Sequence, residues 1–305
     1  MISSSLLNNK ENTVSTVPLS HSPSTTRSAR LLAFPLSRII IGALAVALPT
    51  IVAMILIRQL DKPLRQVWPF LLCAALCVAG YALYMRMVEQ RRVTELSSAG
   101  AGRELGLGAA IGAATFLAVI GAMFASGVFQ VVGTNPWGVM IAPFAELIFV
   151  ALFEELLFRG IVFRIIEKSL GSWLAVLLSS VLFAVGHLPN DGITVLAVAI
   201  TALAGVMFAA AYMLTRRLWL AIGLHFAWNF MSDAVFSLPT SGHAAKGLLQ
   251  GQLSGPAWLS GGVYGVEASA VTLVVIGVAT VLLLAGAIRR GHVMAPYWRR
   301  APQPT

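Results

Sequence analysis

Ionisable and strongly polar side chains are rare in the apolar stretches of this chain, and those present cluster in its second half. They are Glu146, Glu154, Glu155, Arg159, His187, His225, Asn229 and Asp233. A charged group at the centre of a bilayer costs ~2.5–3.5 kcal/mol or more, so such residues indicate a function or a specific pairing. We therefore expect the chemistry of this protein to lie in this cluster.

The sequence FEELLFRG, residues 153–160, contains two adjacent carboxylates and one guanidinium. Glu155 and Arg159 are four residues apart and share a helix face, where each lowers the desolvation cost of the other. We interpret them as a buried ion pair that supports helix packing. Glu154 points about 100° away and has Phe158, which is not a cation, at its own i+4 position. Because a second carboxylate adds nothing to a satisfied pair, we predict a function for Glu154.

Two further motifs, FAVGH and HFAWN, place Phe183 with His187 and His225 with Asn229 on shared helix faces. A lone histidine in a membrane helix is typically a hydrogen-bonded core residue, but two histidines near an asparagine and a glutamate favour a functional site. Glu154 and His187 are expected at matching depth, each about 25 Å from the turn between their helices. The same arithmetic places His225 and Asn229 closer to the surface, by an amount that helix tilt can absorb.

These side chains together suit the activation of a water molecule. Glu154 can accept and return a proton, and His187 can share and orient the same water. His225 and Asn229 can donate hydrogen bonds to a developing oxyanion. The pattern predicts a hydrolase that cleaves a peptide bond without a covalent intermediate, and the serines of the fifth apolar segment are interpreted as helix-packing residues.

The three motifs, in this order on successive apolar segments, resemble those of the CPBP family (CAAX proteases and bacteriocin-processing enzymes, also called Abi) over residues 139–235. The resemblance implies an all-helical intramembrane glutamic endopeptidase. It implies that Glu154 activates water, that His187 is its partner, and that His225 and Asn229 stabilise the oxyanion. The supporting motif residues are Glu155, Arg159 and Phe183. Nothing in the chain predicts recognition of a prenyl group, so that substrate is not carried over.

The cofactor requirement is less constrained by the motifs. Members of this family have been described both as metalloproteases and as glutamate-dependent enzymes. The chain has no HExxH motif, and its available ligands are two histidines on different helices with one or two glutamates. We predict that no cofactor is needed, while zinc stays possible with Glu154, His187 and His225 as its ligands.

Two other functions remain compatible with the motifs. A non-catalytic membrane scaffold or a bacteriocin-immunity protein would keep the same fold without turnover. A proton-coupled transporter also carries Glu, His and Arg at membrane depth, but it typically contains internal repeats, and the two halves of this sequence show none. Glu146 and Asp233 lie outside the motifs and can face a polar cavity, and no role is predicted for them.

The composition indicates that most of this chain lies in a lipid bilayer. Of its 305 residues, 58% are hydrophobic and only 11% are charged, which excludes a soluble globular domain and a disordered chain. Two cysteines are too few for a disulfide scaffold. A bilayer-spanning helix needs about 20 apolar residues, and such windows predict an all-α polytopic membrane protein with about eight transmembrane helices. The predicted spans are residues 39–57, 67–85, 105–125, 139–165, 173–187, 193–214, 219–236 and 268–288.

The net charge of +9 follows from topology, since most Lys and Arg residues fall on the side that carries both termini. By the positive-inside rule both termini are cytoplasmic, so no nucleic-acid partner is needed. We predict a flexible polar tail over 1–36, a transmembrane domain over 37–290 with the CPBP-like core at 139–235, and a cytoplasmic tail over 291–305. The expected location is a bacterial cytoplasmic (inner) membrane. The expected partners are the lipid bilayer and a membrane-associated peptide or protein substrate, and no oligomeric state is predicted.

Three smaller features complete the predictions. Cys73 and Cys77 are expected to be inert packing residues, because no third cysteine is available to complete a metal site. Gly108 and Gly112 form a small-xxx-small pair, with Gly121 further along the same helix, which indicates close helix packing. Residues 237–266 form a long outer loop rich in glycine, and connections of that length are typically functional or disordered.

Overall fold

The computed structural model describes residues 34–61 and 65–300. The tail predicted for residues 1–36 therefore lies almost entirely outside the described residues, as do the last five residues of the predicted tail 291–305. The helices are α1 Pro35–Ile57, α2 Trp68–Met87, α3 Ala101–Ala125, α4 Ile141–Glu155, α5 Arg164–Leu170, α6 Ser172–Gly186, α7 Val195–Thr215, α8 Trp219–Phe230, α9 Ala257–Ser260 and α10 Ala270–Arg289. The strands are β1 Phe129–Thr134 and β2 Leu249–Leu253.

Within the described part of the chain, five helices are long and apolar enough to cross a bilayer: α1, α2, α3, α7 and α10. They confirm the predicted helical membrane protein. The other three predicted spans carry the motifs and contain shorter α-helices: α4 has 15 residues, α6 has 15 and α8 has 12. Two of these helices continue as π-helical turns, Leu156–Phe163 after α4 and Met231–Val235 after α8. The predicted span 139–165 is helical throughout, but its hydrogen bonding changes from α-helical to π-helical after Glu155.

The helical fold also contains a two-stranded antiparallel sheet that the sequence analysis missed. Strand β1 follows α3, and β2 lies inside the predicted long loop at residues 237–266. Phe129 pairs with Leu253 and Thr134 with Leu249, with an irregularity between Val131 and Gly133. The sheet ties the glycine-rich segment to the end of α3, so this segment has a defined conformation.

Glycines bring α3 and α8 into close contact, as the sequence predicts for Gly108 and Gly112. A Cβ atom on Gly108 would lie 2.2 Å from the backbone oxygen of Leu220, and one on Gly112 would lie 2.3 Å from that of Leu224. Any larger residue would push the helices apart, so these glycines set the position of α8, which carries the HFAWN motif. Gly121 does not take part, since a Cβ there would meet no atom within 4 Å.

The two cysteines are buried and unpaired, as the packing prediction requires. Cys77 belongs to an apolar cluster that includes Tyr81 from α2, Ala151 from α4 and Leu156 from the first π turn. This cluster fixes the end of α4 against α2, and so places the FEELLFRG motif.

The charges predicted to lie on one side of the membrane meet at one end of the molecule. Glu89, just after α2, forms ion pairs with Arg38 at 2.6 Å and with Arg164 at 2.8 Å. Glu167, on α5, pairs with Arg216 at 2.7 Å. These contacts join segments that are far apart in sequence, which agrees with the sidedness inferred from the distribution of Lys and Arg.

Candidate functional site

A cavity of about 320 Å³ lies between α4, α7 and α8 and the C-terminal end of α6. The four predicted catalytic residues and one of the supporting residues line it: Glu154, His187, His225, Asn229 and Phe183. The structure therefore brings together three motifs that the sequence separates by more than 70 residues. The depth arithmetic correctly allowed Glu154 and His187 to meet at one site.

Glu154 is the penultimate residue of α4, and its side chain is 20% exposed. Its Oε2 atom lies 3.8 Å from Nε2 of His225, and this oxygen has no hydrogen-bond partner among the described residues. That separation is too long for a direct hydrogen bond but allows a bridging oxygen atom between the two groups. Glu154 thus presents a buried carboxylate oxygen that can take a proton from a bound water.

Glu155 is not among the residues that line the cavity and is completely buried. Its Oε1 accepts a hydrogen bond from Nη1 of Arg159 at 2.9 Å and lies 3.0 Å from Nδ1 of His225. Nη2 of Arg159 donates to the backbone oxygen of Gly205 at 2.9 Å. The predicted Glu155–Arg159 ion pair is present, and it also holds the His225 ring through Nδ1, leaving Nε2 directed at Glu154.

The aromatic ring of Phe183 packs against the Glu155–Arg159 ion pair and makes no polar contact with it. The guanidinium carbon of Arg159 lies 4.8 Å from the centroid of the Phe183 ring and 5.0 Å from that of Phe208. Phe208 also stacks on His225, with ring centroids 4.5 Å apart. A cation next to the face of an aromatic ring is stabilised by the ring quadrupole, so these rings compensate part of the cost of burying Arg159.

The π-helical turn after α4 places Arg159 in a widened stretch of helix. The backbone oxygen of Gly160 accepts hydrogen bonds from Nε of Arg164 at 2.8 Å and from the Tyr81 hydroxyl at 3.2 Å. A Cβ on Gly160 would lie 2.9 Å from the Tyr81 ring, so the glycine permits this contact. π-Helical turns are frequent at functional sites. The sequence analysis did not predict this turn, and the glycine after Arg159 is its only visible signal.

His187 follows the last residue of α6 and lines the cavity. Its Nδ1 lies 2.8 Å from the backbone oxygen of Phe183. Since a carbonyl oxygen only accepts, Nδ1 carries the proton and donates this bond. In the neutral ring Nε2 is then left as an acceptor, which suits it to orient a water molecule.

Asn229 lies one turn beyond His225 on α8 and is only 8% exposed. Its side-chain amide forms no hydrogen bond with another residue in the described ranges, although it lines the cavity. Neither amide atom is among the fully buried polar atoms without a partner, so the amide opens onto the cavity and is available for a ligand atom. The sequence grouped His225 with Asn229, whereas the structure brings the His225 ring to the two glutamates.

The segment 237–268 contributes lining residues that the sequence analysis missed. Glu267 accepts hydrogen bonds from Nε1 of Trp228 at 2.7 Å, from the Ser241 backbone N–H at 2.5 Å and from the Ser241 hydroxyl at 2.7 Å. Together with Thr240 and His243, these residues place the segment against the cavity. The only sequence signal was its length and glycine content.

The described residues contain no group of three or more His, Cys, Asp or Glu side chains arranged to hold a metal ion. The predicted alternative ligands, Glu154, His187 and His225, line one cavity without forming such a group. One nitrogen of each histidine is already engaged, by Phe183 and by Glu155.

Residues 136–231 match the family model described as type II CAAX prenyl endopeptidase Rce1-like. The match agrees with the resemblance inferred from the motifs and contains every predicted site residue. No curated protein and no solved structure matches the chain. The chain is therefore a helical membrane protein whose central residues 136–231 are similar to the Rce1-like CAAX endopeptidase family.

Proposed function

We propose that this membrane protein is an intramembrane endopeptidase that hydrolyses a peptide bond with water activated by Glu154. The observation that carries the proposal is the buried, unpartnered Oε2 of Glu154, facing Nε2 of His225 in a cavity among membrane helices. The Rce1-like match over residues 136–231 supports a protease at the level of the family.

Glu154 acts as the general base. It removes a proton from a water molecule that is oriented by Nε2 of His187, and the resulting hydroxide attacks the carbonyl carbon of the substrate. When the tetrahedral intermediate collapses, Glu154 returns the proton to the leaving nitrogen, so the carboxylate is regenerated. The low polarity of the surroundings strengthens each of these interactions.

Asn229 and His225 stabilise the negative oxygen that forms during attack. The Asn229 amide donates one hydrogen bond, since no protein group occupies it in the described structure. Nε2 of His225, which lies 3.8 Å from Oε2 of Glu154, donates a second when it carries a proton. Donors arranged in advance for a developing oxyanion typically contribute the largest catalytic effect.

The proposed reaction uses no metal ion. The support is the donor set, since the described residues contain no group of three His, Cys, Asp or Glu side chains arranged to hold a metal ion. The substrate class is a membrane-associated peptide or protein, because the cavity lies among apolar helices. We assign the protein to a bacterial cytoplasmic membrane, and no prenyl requirement is included.

The direct test uses the purified full-length protein in liposomes with a library of synthetic peptides, with cleavage followed by mass spectrometry. The wild type should cleave a subset of peptides, and Glu154→Gln should reduce the rate by at least ~10³-fold. Glu104→Gln is a matched control, because Glu104 pairs with Arg217 away from the cavity. If Glu154→Gln folds normally and cleaves at the wild-type rate, the proposal is wrong.

A second experiment tests the metal-free mechanism. The wild-type protein is treated with a chelator, dialysed and assayed, and zinc is then added back. Activity should survive chelation unchanged. Loss with chelator and recovery with zinc would overturn the metal-free mechanism while leaving peptide hydrolysis intact.

A further inference from the structure

The cavity carries two carboxylates that the proposed reaction does not use, Glu146 and Asp233. Glu146 lies eight residues before Glu154 on α4, and Asp233 lies eight residues after His225 in the π turn that follows α8. Helices α4 and α8 pack together, both carboxylates line the cavity, and Asp233 interacts electrostatically with Glu146, so we place the two at one end of the cavity. The Glu154–His225 pair lies at the other end.

Neither carboxylate has a cationic partner that neutralises it. Neither forms a hydrogen bond or an ion pair with another side chain of the described residues, and the cavity lining contains no Lys or Arg. Asp233 lies close enough to Glu146 and His243 to interact with both electrostatically. Glu146 and His243 are exposed and Asp233 is half-buried. Among the described residues, His243 is the one base that interacts electrostatically with both carboxylates.

An independent observation indicates that a polar ligand binds in this part of the cavity. Asn229 lies between His225 and Asp233 along α8, is 8% exposed, and has an amide with no partner among the described residues. A buried amide facing a cavity is satisfied by a backbone group of an entering peptide. The same peptide would then extend from the catalytic pair towards Glu146 and Asp233.

The spacing sets how far along the peptide the acidic pair acts. Eight residues of helix correspond to about 12 Å, and an extended peptide advances about 3.3 Å per residue. The acidic pair is thus three or four substrate residues from the bond that Glu154 addresses. A Lys or Arg side chain at that position would pair with both carboxylates, of which Glu146 is exposed and Asp233 is half-buried.

Resting on the function proposed above, we infer that Glu146 and Asp233 form a specificity subsite for a cationic side chain. The substrate is accordingly a membrane-associated peptide or protein with a Lys or Arg three or four residues from the scissile bond. Both residues are specificity determinants that contact the substrate, and neither takes part in proton transfer.

The test uses the full-length protein in phosphatidylcholine liposomes and matched synthetic peptides in which one Lys, or its uncharged analogue norleucine, is moved through each position. For the wild type, kcat/KM should be at least ~10-fold higher with Lys than with norleucine at the third or fourth residue from the cleaved bond. In Glu146→Gln/Asp233→Asn this advantage should fall below ~2-fold. Asp191→Asn, an exposed acid outside the cavity lining, is the control and should keep the advantage.

The outcomes separate the subsite from the reaction. Cleavage with no preference for Lys at any position, or a preference that survives in the double variant, overturns the subsite and leaves the proposed function standing. If the wild type cleaves no peptide, the proposed function fails, and the subsite is judged by calorimetric binding to the Glu154→Gln protein. There, Lys peptides should bind about tenfold more tightly than norleucine peptides, and the added Glu146→Gln/Asp233→Asn changes should remove the difference; equal binding would overturn the subsite.

Discussion

Two regions of this molecule hold glutamates in opposite ways. At one end of the bundle, Glu89 is bound by the guanidinium groups of Arg38, Arg91 and Arg164. Glu95, beside it, is bound by Arg91 and by the Tyr81 hydroxyl. Every carboxylate oxygen of this cluster has a cationic or hydroxyl donor.

The cavity contains glutamates without such donors. Glu154 faces His225 across 3.8 Å, and Glu146 has no ion-pair partner among the described residues. Glu267, which also lines the cavity, accepts hydrogen bonds from Trp228 and Ser241. Glu155 is intermediate, because Arg159 and His225 bind its Oε1 while its buried Oε2 has no hydrogen-bond partner among the described residues. A fully paired carboxylate stabilises structure and is a poor base, whereas an unpaired one can exchange a proton or bind a cation. The difference in pairing therefore separates Glu89 and Glu95, which stabilise the structure, from Glu154 and Glu146, to which we assign functions.

The largest effect on activity is expected when a substitution places a cationic side chain next to Glu154, so that this glutamate becomes paired like Glu89. Val150 lies four residues before Glu154 on α4 and also lines the cavity, so Val150→Lys places an ammonium beside the carboxylate. Pairing stabilises the ionised carboxylate and weakens it as a base, so peptide cleavage should fall by about 10²–10⁴-fold. Val150→Met is the control for size, and thermal unfolding checks that both variants fold. Unchanged cleavage by a folded Val150→Lys protein would contradict the role assigned to Glu154.

Removing a partner from the paired glutamate should act on stability. Arg159→Met leaves Glu155 buried with only His225 beside it, and we expect a loss of about 3–5 kcal/mol in the free energy of unfolding. Unfolding followed in detergent solution measures it. The double change Glu155→Leu/Arg159→Met should cost less than Arg159→Met alone, because no charge is then left unpaired. A larger cost for the double variant would show that the pair itself is the main stabilising element.

Removing the unpartnered amide of Asn229 should have the opposite effect, lowering activity while leaving stability unchanged. Asn229→Ala removes a proposed oxyanion donor and should lower kcat by about 10²–10³-fold. It breaks no protein hydrogen bond, so the unfolding temperature should stay close to that of the wild type. The two measurements are made on the same preparation. A variant that loses stability and activity together would show that Asn229 has a structural partner.

Much of this contrast was predictable from residue type and spacing. The i, i+4 relation joins Glu155 to Arg159, and the absence of a cation at residue 158 leaves Glu154 free. The motif order and the apolar windows predicted the helical membrane fold. These inferences succeed because they depend on contacts within one helix or on the solvent that the chain requires.

The features that the sequence did not predict all depend on contacts between distant segments. Strand β1 pairs with β2 over more than 110 residues of intervening chain. The sequence of β1 does not alternate between apolar and polar residues, and the alternation in β2 covers only five residues. The π turn after Glu155 depends on Tyr81 from another helix reaching the Gly160 oxygen. The link from His225 to Glu155 follows from the packing of α8 on α4, which no local pattern contains.

The smallest effect is expected at the paired end of the molecule. Glu89 is buried, which raises its pKa, but the hydrogen bond and charge of Arg164 and the charge of Arg38 outweigh this and lower the pKa to about 2. Glu89→Gln removes these charge-assisted contacts and should reduce the free energy of unfolding by about 1.5–3 kcal/mol at pH 7. Cleavage by the folded variant should be unchanged, because Glu89 lies outside the cavity lining.

The difference in the free energy of unfolding between the wild type and Glu89→Gln should depend on pH, and this dependence gives the sharper test. A glutamate in the unfolded chain has a pKa of about 4.3, and in the folded protein the pKa of Glu89 is about 2. The folded state therefore binds the proton less readily, so the contribution of Glu89 is fully present above pH ~5 and is lost as the pH falls towards 2. Unfolding of the wild type and of Glu89→Gln, measured in parallel between pH 7 and pH 3, should converge as the pH is lowered. Parallel curves would mean that the Glu89 carboxylate gains nothing from its arginines, and that pairing does not distinguish the two regions.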